Sequence, residues 1–268
     1  MLNVGIIGFG TAGRDVVKRL VCNEIEGCRL SGVLVRSVSN HSTGASLTGL
    51  LTDDPEHFFS QRPDVIVETA GHGAVAQYGE MALEAGCHFV VISVGALGDA
   101  ELYNRLVAAA RTSGKQILLP SAAVAGLDRI AAAAEDGLDS VRLTTRKPVK
   151  AWRGTHAETV VNLDEITEPT VIYTGNARDS ARLFPESVNV SAALSLAGLG
   201  FEETEVQVVV DPTIERNVHE VTALGKFGEL KVEVQNTPSP DNPKTGHIVA
   251  MSVCKVLRNL ASPVVVGL

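Results

Sequence analysis

Cysteine is scarce in this sequence, and the cysteines that occur follow no pairing pattern. Cys22, Cys28, Cys87 and Cys254 are scattered along 268 residues and form no CxxC pair. A disulfide framework or a zinc site needs clustered or regularly spaced cysteines. We therefore expect neither disulfides nor a metal site.

The sequence also lacks an excess of positive charge and any long hydrophobic run. Its 23 Lys and Arg against 31 Asp and Glu give a net charge of -8, whereas nucleic-acid and membrane-surface binding need clustered basic side chains. No apolar stretch reaches the ~18 residues of a membrane span. Met1–Ile7 lacks the basic start of a signal peptide and is typical of a strand. We expect a cytoplasmic enzyme with a small-molecule substrate and no nucleic-acid or membrane partner.

What is present is a hydrophobic fraction of 45%, enough for one large or two modest domains. In the first 120 residues, short apolar runs alternate with helical patterns. The predicted strands are Asn3–Ile7, Arg29–Val35, Asp64–Glu68, His88–Ser93 and Gln116–Leu119, and the predicted helices are Gly13–Cys22, Ala74–Ala85 and Ala100–Thr112. This alternation predicts an α/β, Rossmann-type, doubly wound parallel sheet.

The pattern changes after Pro120, where most predicted elements are strands joined by short turns. The strands are Val141–Thr145, Thr170–Thr174, Glu205–Val210, Asn217–Leu224 and Glu229–Val234, with helices at Val124–Asp136 and Val190–Leu199. They predict a second, α+β domain with a mostly antiparallel sheet. Such a sheet often supplies a dimer face, so we expect a homodimer.

The end of the chain is predicted to be helical, with Asn242 as N-cap and Pro243 at the first helical position. Its apolar face suits a return to the first domain. The predicted organisation is therefore a dinucleotide-binding domain of residues 1–120 and 242–268, and a substrate-binding, catalytic and dimerisation domain of residues 121–241.

A GxGxxG motif lies between the first predicted strand and the first helix. Gly8 permits the tight turn, Gly10 lets the backbone approach a pyrophosphate, and Gly13 lets helix and strand pack closely. The helix N-terminus presents free N–H groups to the anion. The expected cofactor contacts are Gly8, Gly10, Thr11, Ala12 and Gly13. The alternative is a glycine-rich turn that binds nothing.

The end of the second strand bears on the choice between the two nicotinamide cofactors. Where an acid would accept hydrogen bonds from the adenosine ribose, the sequence has Arg36 and Ser37. Both suit a 2′-phosphate, so NADP is favoured and NAD remains open. The alternative is that Arg36 is a solvated surface charge.

Two further loops follow predicted strands, at Glu68–His72 and Ser93–Leu97. Their small residues permit backbone contact with ribose and nicotinamide, and we select Ala70 and Gly71 as cofactor contacts. His72 is a weaker candidate for a ligand contact than His219.

Several segments, in this order and together with the glycine loop, cover nearly the whole chain and resemble the L-aspartate dehydrogenase family. They are Pro120–Asp128, Thr145–Pro148, Phe184–Pro185 with Asn189–Val190, Asn217–Glu220 and Asn242–Thr245. One departure is Ser121-Ala122-Ala123, where the family often has Ser-Gly-Ala.

The resemblance implies NAD(P)-dependent oxidative deamination of L-aspartate, through iminoaspartate, to oxaloacetate and ammonia. In some bacteria the iminoaspartate instead feeds NAD biosynthesis. It also implies that His219 is the catalytic residue and that Ala123 and Asn189 lie at the cofactor. Asn189 could equally be the N-cap of the following helix, or reach the substrate.

The chemistry is compatible with these residues. Amine oxidation needs a group that moves protons, and the ordinary pKa of histidine suits this role; the alternative for His219 is a structural histidine. Two substrate carboxylates need cations. Arg146 and Lys147 should point to opposite faces of a strand, and we favour Lys147, together with Lys244, over Arg153, Arg178 and Arg182.

Two other interpretations stay open. One is another two-domain reductase, of the homoserine dehydrogenase or dihydrodipicolinate reductase kind, since the glycine loop and the domain order fit these equally. The other is a non-catalytic nicotinamide sensor, which would need no titrating residue in the second domain.

Overall fold

The computed structural model describes residues 1–41, 47–239 and 242–267, without the side chains of residues 186 and 243–245. The chain divides into two compact units. The first comprises Met1–Pro120 and Val249–Leu268, and the second comprises Ser121–Ile248.

The first unit contains a parallel sheet of six strands. The strands are β1 (Leu2–Ile7), β2 (Cys28–Leu34), β3 (Leu51–Thr52), β4 (Val65–Glu68), β5 (His88–Val91) and β6 (Ile117–Leu118). Their order in the sheet is β3-β2-β1-β4-β5-β6, and each adjacent pair is parallel. This is the Rossmann order, and its switch point lies between β1 and β4. The predicted parallel sheet is confirmed.

The helices of this first segment are α1 (Thr11–Val21), α2 (Pro55–Ser60), α3 (His72–Glu84) and α4 (Ala100–Ser113). Helix α1 forms because Val16, Val17 and Leu20 lie on one face and pack on the sheet, where all three are buried. Helix α4 ends at Gly114, whose φ of +67° is the left-handed conformation that terminates helices.

The second unit contains a five-stranded sheet with the order β11-β10-β7-β9-β8. Its strands are β7 (Leu138–Lys147), β8 (Thr170–Asn176), β9 (Glu205–Val210), β10 (Asn217–Gly225) and β11 (Gly228–Asn236). Three of the four strand pairs are antiparallel and the β7–β9 pair is parallel. The mostly antiparallel sheet is therefore confirmed.

One face of this sheet forms the core of the second unit. The helices of the second unit are α5 (Leu127–Ala134), α6 (Ala157–Val160), α7 (Ala177–Leu183), α8 (Val188–Ala197) and α9 (Gly200–Glu203). Alternate residues of the central strands, such as Leu143, Val208 and Val221, are buried. A side chain on the same face of β7 or β10 is therefore held in a packed environment.

The beginning of the last helix was predicted wrongly. Asn242–Gly246 is a strand, β13, paired with β12 (Pro238–Ser239), and helix α10 runs over Ile248–Ala261. The N-cap signal of Asn242 and the helix-start signal of Pro243 are local. Strand pairing, extended by the hydrogen bond from the His247 N–H to the Thr237 carbonyl at 2.9 Å, overrides them. Val253 and Leu257 of α10 belong to the core of the first unit.

Candidate cofactor and catalytic sites

The glycine loop joins β1 to α1 at the switch point of the parallel sheet. Gly8 has a φ of +98°, and a Cβ there would lie 2.9 Å from the Ala70 backbone nitrogen; a Cβ on Gly13 would lie 2.4 Å from the Gly8 carbonyl oxygen. A Cβ on Gly10 would meet nothing within 4 Å. Two glycines are thus required by packing, and the third leaves open space beside the loop, as a bound pyrophosphate requires.

The helices that begin at the switch point differ from their neighbours in their N-termini. Helices α1 and α3 begin after Gly10 and Gly71, with no side-chain cap and no acidic residue in the first turn. In contrast, α2 and α4 are capped by Asp54 and Asp99. The first-turn N–H groups of α1, which include Thr11 and Ala12, therefore face no competing carboxylate of their own helix, and a phosphate fits there.

Arg36 and Ser37 follow directly after β2. The carbonyl oxygen of Leu34, the last residue of β2, accepts a hydrogen bond from the Gly8 N–H at 2.8 Å, so this strand end lies beside the glycine loop. Arg36 is exposed, and among the described residues no ion pair or hydrogen bond of its side chain is found. Ser37 Oγ lies 2.8 Å from Ser39 Oγ. The guanidinium is thus available to an external anion.

Sequence reasoning gave no role to Glu68, the last residue of β4. Its side chain is 0% exposed. Oε1 accepts hydrogen bonds from the Ala70 and Gly71 N–H groups, both at 2.7 Å, and from Ser93 Oγ at 3.0 Å. Oε2 accepts one from the Ser93 N–H at 3.0 Å. Burial raises the pKa of Glu68, and the N–H donors oppose that rise.

His219 lies on β10, opposite Thr145 of β7. Its ring Nδ1 is 3.1 Å from Thr145 Oγ1, and its side chain is 5% exposed. Burial, and to a lesser extent the positive charge of Lys147, together lower the pKa of His219 to about 4. The imidazole is therefore neutral at pH 7. Its pKa of about 4 differs from the ordinary histidine pKa of 6.5, on which the sequence argument relied.

Lys147 lies on the same face of the sheet as Thr145 and His219, because side chains two residues apart on a strand share a face. It is 5% exposed, and its Nζ lies 4.9 Å from the centroid of the Trp152 ring. Trp152 Nε1 also donates a hydrogen bond to the Lys147 carbonyl oxygen at 3.2 Å. Trp152 thus contacts both the ammonium group and the backbone of Lys147, which holds the cation near the imidazole.

Arg146 points to the other face of the sheet. Its Nε lies 3.9 Å from Asp211 Oδ2 and its Nη2 lies 3.6 Å from Glu233 Oε2. These two acids neutralise Arg146 on the face away from His219. Arg153 and Arg178 pair with Asp164 and Glu202.

The remaining predicted contacts, Asn189, Ala123 and Lys244, lie in three different elements or loops of the second unit. Asn189 is the second residue of α8, whose N-cap is Ser187, so the N-cap interpretation of Asn189 is wrong; its side chain is exposed. The carbonyl oxygen of Ala123 accepts a hydrogen bond from Asn236 Nδ2 at 2.9 Å. Lys244 lies in β13 rather than at a helix start, and its side chain is outside the described part of the structure.

Ala122, where the sequence departs from the pattern of the resembling family, has a left-handed backbone conformation. Its φ is +48°, a conformation that glycine adopts without strain and that a residue with a Cβ rarely adopts. The glycine that the resembling family often has at this position is therefore the residue that the backbone favours.

The described residues form neither a candidate metal site nor a membrane-spanning helix. No group of three or more His, Cys, Asp or Glu side chains there is arranged to hold a metal ion. None of the helices in the described part of the chain is both long and apolar enough to cross a membrane.

Comparison with known proteins gives matches over almost the entire chain. Residues 8–120 match the family model described as homoserine dehydrogenase, NAD binding domain, and residues 128–260 match aspartate dehydrogenase, C-terminal. An L-aspartate dehydrogenase of Cupriavidus necator is 42% identical over 267 residues, which cover 98% of this chain and 99% of the relative. One of Methanosarcina barkeri is 40% identical over 275 residues, with 100% of both chains covered.

A solved structure shares the fold. The crystal structure of aspartate dehydrogenase from Thermotoga maritima superposes with a TM-score of 0.79 at 24% identity and covers 100% of both chains. The parallel sheet, its glycine loop and the matched NAD-binding region define an oxidoreductase that uses a pyridine nucleotide and acts on a small molecule. Within this class, the chain belongs to the L-aspartate dehydrogenase family.

Proposed function

We propose that the protein is an NAD(P)-dependent L-aspartate dehydrogenase that converts L-aspartate, through iminoaspartate, to oxaloacetate and ammonia, and that runs in both directions. The relatives that carry this name match the whole chain. The observation that carries the proposal is that a buried, neutral His219 and a buried Lys147 lie on the same face of the second sheet.

The neutral imidazole of His219 supplies a base. Aspartate must lose an ammonium proton before hydride leaves Cα, and the water that attacks the imine must also lose a proton. If Nδ1 carries the ring proton and its N–H donates a hydrogen bond to Thr145 Oγ1, the Nε2 lone pair can accept the substrate proton. Thr145 would then fix the orientation of the ring.

Lys147 supplies a cation for one substrate carboxylate. A fixed ammonium group that is already desolvated loses less solvation and less side-chain freedom on binding than an exposed lysine. The Trp152 ring restricts that freedom further. Asn189 and Lys244 remain the additional substrate contacts that the resemblance and the sequence favour.

A pyridine nucleotide would supply the hydride acceptor that oxidation at Cα needs. In the first unit, Gly8, Gly10 and Gly13 with the N–H groups of Thr11 and Ala12 would hold its pyrophosphate. Ala70, Gly71 and Ala123 would contact the ribose and nicotinamide. Arg36 and Ser37 would bind a 2′-phosphate, which is why we propose a preference for NADP.

We also propose a homodimer in the cytoplasm. The face of the second sheet away from His219 carries opposite charges in pairs, including Arg142 with Glu205 at 3.0 Å and Lys231 with Glu220 at 3.7 Å. A second copy could cover such a half-exposed, charge-balanced face. Light scattering of the purified protein measures the mass, and cell fractionation measures the compartment; a monomer or a membrane fraction would contradict these assignments.

The activity is tested by following NADPH and NADH absorbance with oxaloacetate, ammonium or both. Cofactor oxidation only when both are present supports the proposal, and a screen of L-amino acids with NADP and NAD tests the reverse direction. Turnover of a different substrate would favour another two-domain reductase. Cofactor binding without any turnover would favour a nicotinamide sensor.

His219→Ala and His72→Ala form a matched pair, because each removes one imidazole and only His219 is proposed to act as the base. We expect His219→Ala to lower kcat by ~10²-fold or more and His72→Ala to stay near wild type. Near-normal turnover of His219→Ala would remove His219 from the reaction.

A further inference from the structure

Three side chains at the switch point of the first sheet, Glu68, Thr69 and Ser93, tie its loops together. We call them the switch-point clamp. Glu68 accepts four hydrogen bonds from Ala70, Gly71 and Ser93. Three of them come from backbone N–H groups, which can only donate, and this pattern favours the ionised carboxylate.

The clamp acts on the turn that touches the glycine loop. A Cβ on Gly8 would lie 2.9 Å from both the N and Cα atoms of Ala70, so the two backbones are in direct contact. The Ala70 N–H is one of the two that Glu68 Oε1 binds at 2.7 Å. The position of this peptide therefore depends on Glu68.

Thr69 binds the glycine loop from the same turn. Its Oγ1 donates to the carbonyl oxygens of Ile7 at 3.1 Å or Gly8 at 3.0 Å, and its N–H donates to the Ile7 carbonyl at 2.8 Å. The hydroxyl also lies 2.7 Å from the point where a Cβ of Gly13 would be. Thr69 thus contacts both ends of the turn between β1 and α1.

Glu68 also fixes two other elements of the same sheet edge. Gly71 is the N-cap of α3, with a φ of +114°, and its N–H is bound by the carboxylate. Ser93 precedes the 3-10 helix Val94–Gly98 at the end of β5 and is bound through both its N–H and its Oγ. One buried side chain therefore fixes the turn after β4, the start of α3 and the turn after β5.

We propose that Glu68 and Thr69 are positioning residues for the pyridine nucleotide: they hold the loops after β1, β4 and β5 in the arrangement that receives the cofactor. The inference rests on cofactor binding by the first unit. Parallel sheets bind ligands at the carboxyl ends of the strands beside the switch point. These loops lie at that edge, and a buried charge with four donors fixes them more firmly than a neutral side chain.

The decisive variant is Glu68→Gln. The amide has nearly the same shape, but its NH₂ group would face either the Ser93 N–H or the three donors at Oε1. In either orientation of the amide, its NH₂ group would face an N–H donor of the protein, so at least one hydrogen bond is lost and two donors oppose each other. Val65→Ala is the matched control, because Val65 is 0% exposed on the same strand and lies away from the loops.

The measurement is the Kd for NADPH by fluorescence titration, alongside the Tm. We expect Glu68→Gln to raise the Kd about tenfold, the effect of losing one hydrogen bond to a charged group. We expect Val65→Ala to lower the Tm and leave the Kd unchanged. Equal Kd values for wild type and Glu68→Gln, or an equal rise in both variants, would overturn the inference.

Thr69 provides an independent test if Glu68→Gln does not fold. Thr69→Val is isosteric and removes the hydroxyl, whereas Thr69→Ser retains it. Weaker NADPH binding by Thr69→Val and recovery in Thr69→Ser support the clamp; identical affinities contradict it. Because binding is measured without aspartate, a wild type that binds NADPH but does not oxidise aspartate would refute the proposed function and leave this inference standing.

Discussion

Replacing His219 with glutamine should make the second unit less sensitive to acid. In the folded protein, burial and the charge of Lys147 lower the pKa of His219 from 6.5 to about 4. In the unfolded chain the imidazole is solvated and has its ordinary pKa. Between these two values the unfolded state binds a proton that the folded state does not, so stability falls as the pH falls.

The size of the effect follows from the two pKa values. Well above pH 6.5 the imidazole is neutral in both states and contributes no pH dependence. At pH 5 the difference in proton binding costs about 2 kcal/mol, and below pH 4 it reaches a plateau of about 3 kcal/mol. Because His219 is 5% exposed, solvent screening reduces this effect little.

The assay uses the single tryptophan of the chain. Trp152 is fully buried in the second unit, so its fluorescence in urea titrations reports the unfolding of the unit that contains His219. Between pH 7 and pH 5, His219→Gln should lose about 2 kcal/mol less stability than wild type.

Thr145→Val is the control for this experiment. It removes the hydrogen bond to Nδ1 but keeps the histidine, so we expect lower stability at every pH and the wild-type dependence on pH. If His219→Gln and wild type lose the same stability between pH 7 and pH 5, the imidazole does not have the low pKa that its environment indicates.

Three further predictions concern single side chains. Arg36→Ala should raise the KM for NADP about tenfold while changing that for NAD little, because only NADP offers a 2′-phosphate; unchanged KM values for both cofactors would contradict a role in cofactor choice. Lys147→Met should raise the pKa of His219, since a neighbouring positive charge is removed, and should raise the KM for aspartate; imidazole NMR titration and initial rates measure the two effects, and an unchanged pKa would show that the charges do not interact. Ala122→Gly should stabilise the protein by up to about 1 kcal/mol, because relief of the strain at a φ of +48° exceeds the entropy lost by glycine; a lower Tm would mean that the backbone there is not strained.

The parallel sheet was predictable because its signals are local. A strand, a GxGxxG loop and an amphipathic helix occur in sequence, and the buried strands are short, mostly apolar runs. Strand β3 was missed because two residues carry no period, and α10 begins later than predicted because Asn242–Gly246 pairs with Pro238–Ser239. Pairing with the segment that directly precedes it is not encoded in a helix-start signal.

The candidate site was predictable only where a residue type carried the signal. A histidine on a strand was identified from the sequence, but its low pKa depends on its burial and on the charge of Lys147, which lies on another strand more than 70 residues away along the chain. Glu68 gave no signal at all, because an acid at a strand end is usually solvated. Only the fold brings Ser93, 25 residues later, to its carboxylate.

The closeness of Lys147 to His219 links substrate binding to proton transfer in the proposed reaction. The free protein keeps the imidazole neutral partly through the charge of Lys147. A substrate carboxylate that pairs with the ammonium would offset this charge and make a protonated His219 less unfavourable. The base would then be ready to accept a proton before aspartate binds, and its conjugate acid would be stabilised only while aspartate is bound. In Lys147→Met this difference between the free and bound states should shrink, since the charge that the substrate would offset is already absent.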